Sequence, residues 1–529
     1  MGSKRIMTCK TDSAPNLRKR ALGKMLVGSV LKTSAARYGK REAIYCVATG
    51  RRVSFSQLNE RCNRLANGLL GLALPRGSVV AFLCSNRAEI VEIYFALAKS
   101  GFVGLPLNYR LAPREIETLV VEMKAPVLFC DSRFARTYEY LQSCRPAILH
   151  VLWIGADAPA GCLSYEAFVA DGVASEPEVE VEEDDTFYYN LTSGTTGLPK
   201  SYALTQYNAV TLDSTVVGFD LRSDDVFLNV FPAFGRVGFG WSLISVLMGA
   251  RNVLMDFDPS GVLATVGQEA VTFTNLVPTM AALLLKNPEL DQANLSSLRA
   301  IVFVGAALSP NIRDGAATRL CPRIYEGYGL QETGFLTVST PEDRVSKPDS
   351  VGRAVLFADI RIVDANGKDV PAGVVGEIIG RSPNGITGYL DNEERNAEVF
   401  RNGWFHTGDL GRLDSDGYFY ICGRVKDMII SGGQNVHAAE VEAAILNLPN
   451  VEDCAVFGLP DDTWGESVSA VIVTAHNAMT TGDVQAACRE HLAGFKLPKH
   501  VFFQQEPLPR TPTGKVQKFL LVERHSAKF

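Results

Sequence analysis

Ten residues, Leu191 to Lys200 (LTSGTTGLPK), carry the residue types and spacing needed to grip a polyphosphate. Thr192, Ser193, Thr195 and Thr196 offer hydroxyls, and Gly194 and Gly197 let backbone N–H groups turn inward around an anion. Lys200 adds a mobile point charge for phosphate oxygens. A Walker A loop needs G-x-x-x-x-G-K-[ST]; here the glycines are three apart and Pro199 precedes the lysine. Clusters of Ser, Thr and Gly are also ordinary loops, and the stretch by itself leaves that alternative open.

Other chemistries are bounded by inventory. Seven histidines occur, none between His150 and His406, so neither a Ser-His-Asp triad nor a histidine-rich metal site is expected in the larger part of the chain. A net charge of −6 argues against a nucleic-acid binder. Eleven cysteines without a C-x-x-C pair fit reduced thiols and a cytoplasmic setting. No apolar run reaches the roughly 18 residues of a membrane span. The N-terminal residues Lys4, Arg5, Lys10, Arg18, Lys19, Arg20 and Lys24 are basic with no apolar stretch after them, which reads as a flexible arm over residues 1–29 rather than a secretory signal.

The elements that must position the loop read as α/β. A chain of 529 residues exceeds one ordinary core, so more than one domain is expected. Residues 41–70 suggest a strand pair and then an amphipathic helix with Leu58, Cys62, Leu65 and Leu69 on one stripe. Strand–helix–strand alternation over residues 78–105, and again through Val253, Val271–Asn275 and Ala300–Val304, predicts parallel sheets. The acidic run Ser175–Asp185 reads as a solvated linker, followed by an aromatic strand, Thr186–Leu191, that delivers the loop. Residues 360–421, punctuated by DANGKD and DSDG turns, suggest a β subdomain.

LTSGTTGLPK resembles the phosphate loop of the adenylate-forming enzymes, the superfamily of acyl-CoA synthetases, peptide-synthetase adenylation domains and firefly luciferase. Further blocks match in the family's order: YFALAKSGFVGLPLNYRL from Tyr94, GAALSP from Gly305, GYGLQETG from Gly327 and GEIIGRSPNGITGY from Gly376. FHTGDLGRLDSDGYFYICGRVKDMIISGGQNV follows from Phe405, and PRTPTGK from Pro509. The resemblance spans residues 30–525 and implies a large N-terminal domain of stacked α/β sheets with a β subdomain (30–425). A small mobile α+β C-terminal domain (426–529) would complete the chain.

It also implies roles, residue by residue. Glu332 is the Mg²⁺-linked glutamate; Tyr328 and Gly329 flank the adenine; backbone at Gly305, Ala306 and Ala307 lines the base and acyl pocket. Asp409 holds the ribose hydroxyls and Arg424 is a second nucleotide contact. Lys515 reaches the reacting carboxylate and α-phosphate, joining Thr192, Lys200 and Glu332 as the catalytic set. Lys426 is the hinge, and Ser431, Gly432 and Gly433 border the channel for pantetheine. Phe234, Gly235, Arg236, Gly305 and Leu330 fall at the acyl pocket. The implied cofactors are ATP, Mg²⁺ and CoA. The implied reaction activates a carboxylic acid as acyl-AMP with release of pyrophosphate, then passes the acyl group to CoA. The alternative acceptor is a carrier-protein phosphopantetheine or a separate partner enzyme.

The chain departs from the family pattern at several places. Gln331 stands where Thr is usual, and its amide can still donate to an α-phosphate oxygen. Ser201, Tyr202 and Gln206 replace the usual Gly, Val and His and are expected to matter less. In PAFGRV, Gly235 stands in place of a histidine that closes the acyl pocket, so a larger pocket or an open thiol gate is expected. Arg236 could hold a second carboxylate or polar group of the substrate, or could equally be a surface or helix-capping residue.

Overall fold

The computed structural model describes residues 23–144, 147–192, 200–212, 217–461, 463–474, 479–510 and 516–526. Two large sheets dominate the N-terminal part. The first has seven strands, with the central parallel run Val127–Asp131, Val79–Leu83, Val103–Pro106 and Thr186–Thr192, and ends on Lys200–Thr205. The second has nine, and its parallel core includes Val226–Asn229, Phe273–Leu276, Ala300–Phe303 and Ile324–Leu330. These core strands are short apolar runs, as expected of strands covered on both faces.

Two helices fill the space between the sheets. Ala88–Ser100 is buried at all 13 positions, and Arg236–Met248 is buried at most of its own. Helices apolar all round belong inside a core, and here Tyr94 stacks on Phe239 with ring centroids 3.8 Å apart. The expected amphipathic helix is Phe55–Gly71, capped by Ser54 and Gln57, with Leu58, Cys62, Leu65 and Leu69 buried.

A five-stranded sheet of Asp359–Val363, Gly376–Arg381, Phe400–Arg401, Trp404–Leu413 and Phe419–Arg424 forms the β subdomain. A second five-stranded sheet, carrying helices Ala438–Leu446 and Thr481–Arg489, builds the C-terminal unit. The 3₁₀ turn Val425–Asp427 joins them, with Lys426 exposed.

Three sequence expectations are corrected. Residues 175–185 are a strap rather than a solvated linker. Glu176 accepts from Lys99 at 2.7 Å and Asn59 at 2.8 Å, Glu182 from Lys24 at 2.9 Å, and Glu183 from the Met25 amide at 2.7 Å. The acids of this run satisfy cations and amides that the fold half-buries, which a charge count along the chain does not reveal. The same contacts anchor residues 24–25, and helix Val27–Tyr38 begins inside the segment read as an arm. Gln206 also matters more than expected, because its buried side chain accepts from the Val27 amide and donates to the Ala98 carbonyl.

Candidate active site

The phosphate-loop hairpin is set by Thr186–Thr192 pairing antiparallel with Lys200–Thr205. Ser193, Gly194, Thr195, Thr196 and Gly197, and the side chains of Thr192 and Lys200, lie outside the described residues. The hairpin is braced from the β subdomain. Tyr202 bridges to Tyr389, and the Leu390 amide donates to the Ser201 carbonyl at 2.9 Å.

Beside it, Ile324–Leu330 turns into Gly334–Ser339 through Gln331, Glu332 and Thr333. The turn is tight: a Cβ at Gly329 would lie 2.0 Å from the Gly334 carbonyl, so glycine is required there. The turn is also pinned, since Leu330 N–H donates to Thr333 Oγ1 and the Ile386 amide donates to the Glu332 carbonyl at 2.8 Å. The Tyr389 hydroxyl donates to Glu332 Oε1 at 2.5 Å. Glu332 Oε2 stays free of hydrogen bonds among the described residues, so one carboxylate oxygen can serve a hard cation that keeps water and phosphate oxygens as its other ligands. The residues present therefore fit Mg²⁺.

Tyr328 and Asp409, the residues expected at the nucleotide, meet in the fold. Tyr328 donates to Asp409 Oδ2 at 2.9 Å and Arg424 Nε to Oδ1 at 2.8 Å, while Thr407 Oγ1 accepts from the Asp409 amide. Burial, and then the Asp409 charge, push the Tyr328 phenol well above its ordinary pKa, so it stays a donor. Each carboxylate oxygen has a second acceptor site, which leaves room for a pair of hydroxyl donors. Gly305, at φ +85° just past Ala300–Phe303, is exposed with Ala307 at the C-terminal edge of the parallel strands. Open α/β sheets bind ligands at that edge.

The residues expected at the acyl pocket have aromatic neighbours. Phe234 meets Tyr109 edge-on at 5.0 Å, and Tyr109 stacks on Phe134 at 5.1 Å. Half-buried Leu330 packs against the same core as Tyr94 and Phe239. Among the described residues, a Cβ at Gly235 would meet only the Pro232 carbonyl, at 3.4 Å.

Arg236 differs from both of its sequence readings. It is neither a surface residue nor free to take a second carboxylate. It is 8% exposed, and its guanidinium donates to the Gln331 carbonyl, the Asn384 carbonyl and Asn384 Oδ1. The cavity beside it, lined in part by Tyr188, Asn208 and Phe239, measures about 10 Å³, room for roughly one water. Tyr202, expected to matter little, is fully buried and donates to Gln331 Oε1 at 2.8 Å. A tyrosine in the third position of the strand leaving the phosphate loop was the available sequence signal.

In the C-terminal unit, Gly432 (φ +59°) and Gly433 (φ +75°) form the two-residue turn between Met428–Ser431 and Gln434–His437, and Ser431 is buried. Lys515 lies outside the described residues; Arg510 and Val516 bridge on either side of it.

Residues 31–390 match the family model of the AMP-binding enzymes, and residues 440–515 match the AMP-binding enzyme C-terminal domain. The chain is 37% identical over 481 residues to a feruloyl-CoA synthase of an Amycolatopsis species, covering 89% of this chain and 93% of that protein. It is 33% identical over 506 residues to the long-chain-fatty-acid–CoA ligase FadD13 of Mycobacterium tuberculosis, covering 95% and 99%. The structure of the anthranilate CoA ligase AuaEII with anthranoyl-AMP superposes with a TM-score of 0.87 at 28% identity, covering 95% and 98%. With the family model matched over residues 31–390 and these relatives covered almost end to end, the chain belongs to the AMP-binding enzymes, the adenylate-forming superfamily, as an AMP-forming acyl-CoA synthetase that uses ATP, Mg²⁺ and CoA.

Proposed function

We propose that the protein activates an aliphatic or aryl carboxylic acid in the space bounded by Phe234, Gly235, Gly305 and Leu330. The observation that carries this reading is the open position at Gly235 beside the aromatic ladder of Phe234, Tyr109 and Phe134. Apolar and aromatic walls suit an acid with an apolar body.

A carboxylate is a poor electrophile, because its charge repels nucleophiles and oxide is a poor leaving group. Its oxygen attacks the α-phosphorus of ATP, the bond to the β-phosphate oxygen breaks, and pyrophosphate leaves. In this reading Asp409 and Arg424 hold the ribose, Tyr328 packs on the adenine, and Lys515 neutralises the reacting carboxylate and α-phosphate. Glu332 would hold Mg²⁺, which would supply charge neutralisation on the phosphates. The thiol of CoA then adds to the acyl carbonyl and AMP departs. Lys426, exposed between two sheets, is the hinge about which the C-terminal unit turns between the steps. Ser431, Gly432 and Gly433 then border the thiol channel.

The test is mass spectrometry of products from ATP, Mg²⁺ and a pooled carboxylic-acid library, with and without CoA. Acyl-AMP that converts to acyl-CoA supports the reading and names the acid. Acyl-AMP that persists with CoA present points instead to a carrier-protein phosphopantetheine. No adenylate from any apolar acid would overturn the pocket assignment.

A further inference from the structure

Two residues that depart from the family pattern at separate places in the chain, Tyr202 and Gln331, touch one another in the fold, and both meet Arg236. Tyr202 donates to Gln331 Oε1 at 2.8 Å, and Arg236 donates to the Gln331 carbonyl. The Arg236 charge also lies near the Tyr202 phenol. Among the described residues it forms no ion pair, so a buried guanidinium is spent entirely on neutral oxygens. Burying a charge in that way is costly unless its donors are satisfied, and the residues it satisfies hold the turn that carries Glu332.

The direction of the relay follows from donor inventory. A guanidinium can only donate, and a phenol has a single proton. Because Tyr202 is fully buried, that proton needs an acceptor, and Gln331 Oε1 is the oxygen in reach. The carboxamide is thereby fixed with its oxygen inward. Its NH₂ forms no hydrogen bond among the described residues and stays available to a ligand.

We propose that Arg236 and Tyr202 are positioning residues for adenylation, a donor relay that orients the Gln331 carboxamide so that its NH₂ meets the α-phosphate of the nucleotide. This rests on the reading that Gln331 contacts that phosphate. A threonine at the same place has one short, stiff side chain, whereas a glutamine has more rotatable bonds to freeze. Used as a phosphate donor, it therefore needs an external clamp, and pre-orientation lowers the cost of binding. The two departures are thus coupled: the glutamine requires the tyrosine.

The experiment is calorimetric titration of the full chain with AMP and, separately, with adenosine, reading the ratio of the two affinities. Gln331→Ala is expected to lower the AMP-to-adenosine ratio about 10-fold, the size of one lost hydrogen bond to a charged group. Tyr202→Phe, which removes one oxygen from a buried ring, should lower the same ratio about 3- to 10-fold and leave adenosine affinity unchanged. In the Gln331→Ala background it should cost nothing further. Arg236→Lys should also lower the ratio, because an ammonium lacks the planar fork; if it does not fold, the tyrosine series decides. A ratio that falls in Gln331→Ala but not in Tyr202→Phe overturns the relay and leaves the phosphate contact standing. A ratio unmoved by Gln331→Ala removes the phosphate contact, and the relay with it.

Discussion

Tyr389 and Glu332 are joined by a 2.5 Å hydrogen bond from phenol to Oε1, while the backbone of the same tyrosine bridges to Tyr202 on the phosphate-loop hairpin. One residue of the β subdomain thus ties the Glu332 carboxylate to strand Lys200–Thr205. Tyr389→Phe is expected to leave the fold intact at a cost of about 1 kcal/mol. It should raise the Mg²⁺ concentration needed for half-maximal pyrophosphate exchange about 3- to 10-fold. An unchanged Mg²⁺ dependence would detach Tyr389 from the metal site.

Asp409 is held from both sides, by Tyr328 and Arg424. Asp409→Asn keeps the shape and removes the charge, leaving a half-buried arginine without its carboxylate. Affinity for AMP should fall about 10- to 100-fold, since hydrogen bonds to charged groups contribute about 1.5–3 kcal/mol. Adenine alone should bind as before. Equal losses for AMP and adenine would indicate a collapsed site instead of a missing ribose contact.

Gly235 caps helix Arg236–Met248 at φ −88°, a conformation open to any residue. A side chain there meets nothing closer than 3.4 Å at its Cβ. Gly235→His should therefore fold, with stability changed by about 1 kcal/mol or less, and should narrow the acid range. Specificity constants for bulky acids are expected to drop at least about 10-fold while small acids are retained. Uniform retention of the bulky acids would place the acyl body elsewhere.

Gly432 presents the opposite case. Its φ is +59°, and an added Cβ would lie 2.5 Å from the Trp464 ring. Gly432→Ala should cost about 1–2 kcal/mol in the hairpin and slow thioester formation while pyrophosphate exchange proceeds. Rapid-quench measurement of the two half-reactions separates these effects, and equal slowing of both would take the turn out of the thiol channel.

His437 titrates against the fold of the C-terminal unit. Burial, only partly offset by Glu440, lowers its pKa from the usual 6.5, and its Nδ1 is buried without a partner among the described residues. It also caps the N-terminus of Ala438–Leu446, where positive charge is disfavoured. A group whose folded pKa is depressed contributes stability above its unfolded value and loses it as pH falls through the folded one. Melting temperature should therefore drop below about pH 6.5, and His437→Gln should flatten that part of the profile. Parallel profiles for the two proteins would assign the acid loss to other groups.

Much of the fold was legible because it follows from local patterns. Leu58, Cys62, Leu65 and Leu69 mark one helix face, and the short apolar runs mark buried parallel strands. The acidic strap was misread because Glu176 finds its partner Lys99 across 77 positions of sequence. Composition reports how many charges a segment carries, and only the fold reports which of them are paired. Arg236 was misread for a related reason. Its oxygens come from Gln331 and Asn384, about 95 and 148 residues away, and backbone carbonyls leave no trace in residue identity.

The sequence by itself determined the family, because LTSGTTGLPK, GYGLQETG and the blocks around them stand in an order that local residue identity records. Tertiary structure alone decided how Tyr202, Arg236 and Gln331 combine. Their coupling depends on a few ångströms of approach between a hairpin, a buried helix and a turn, and such distances are set by packing rather than by any residue's identity.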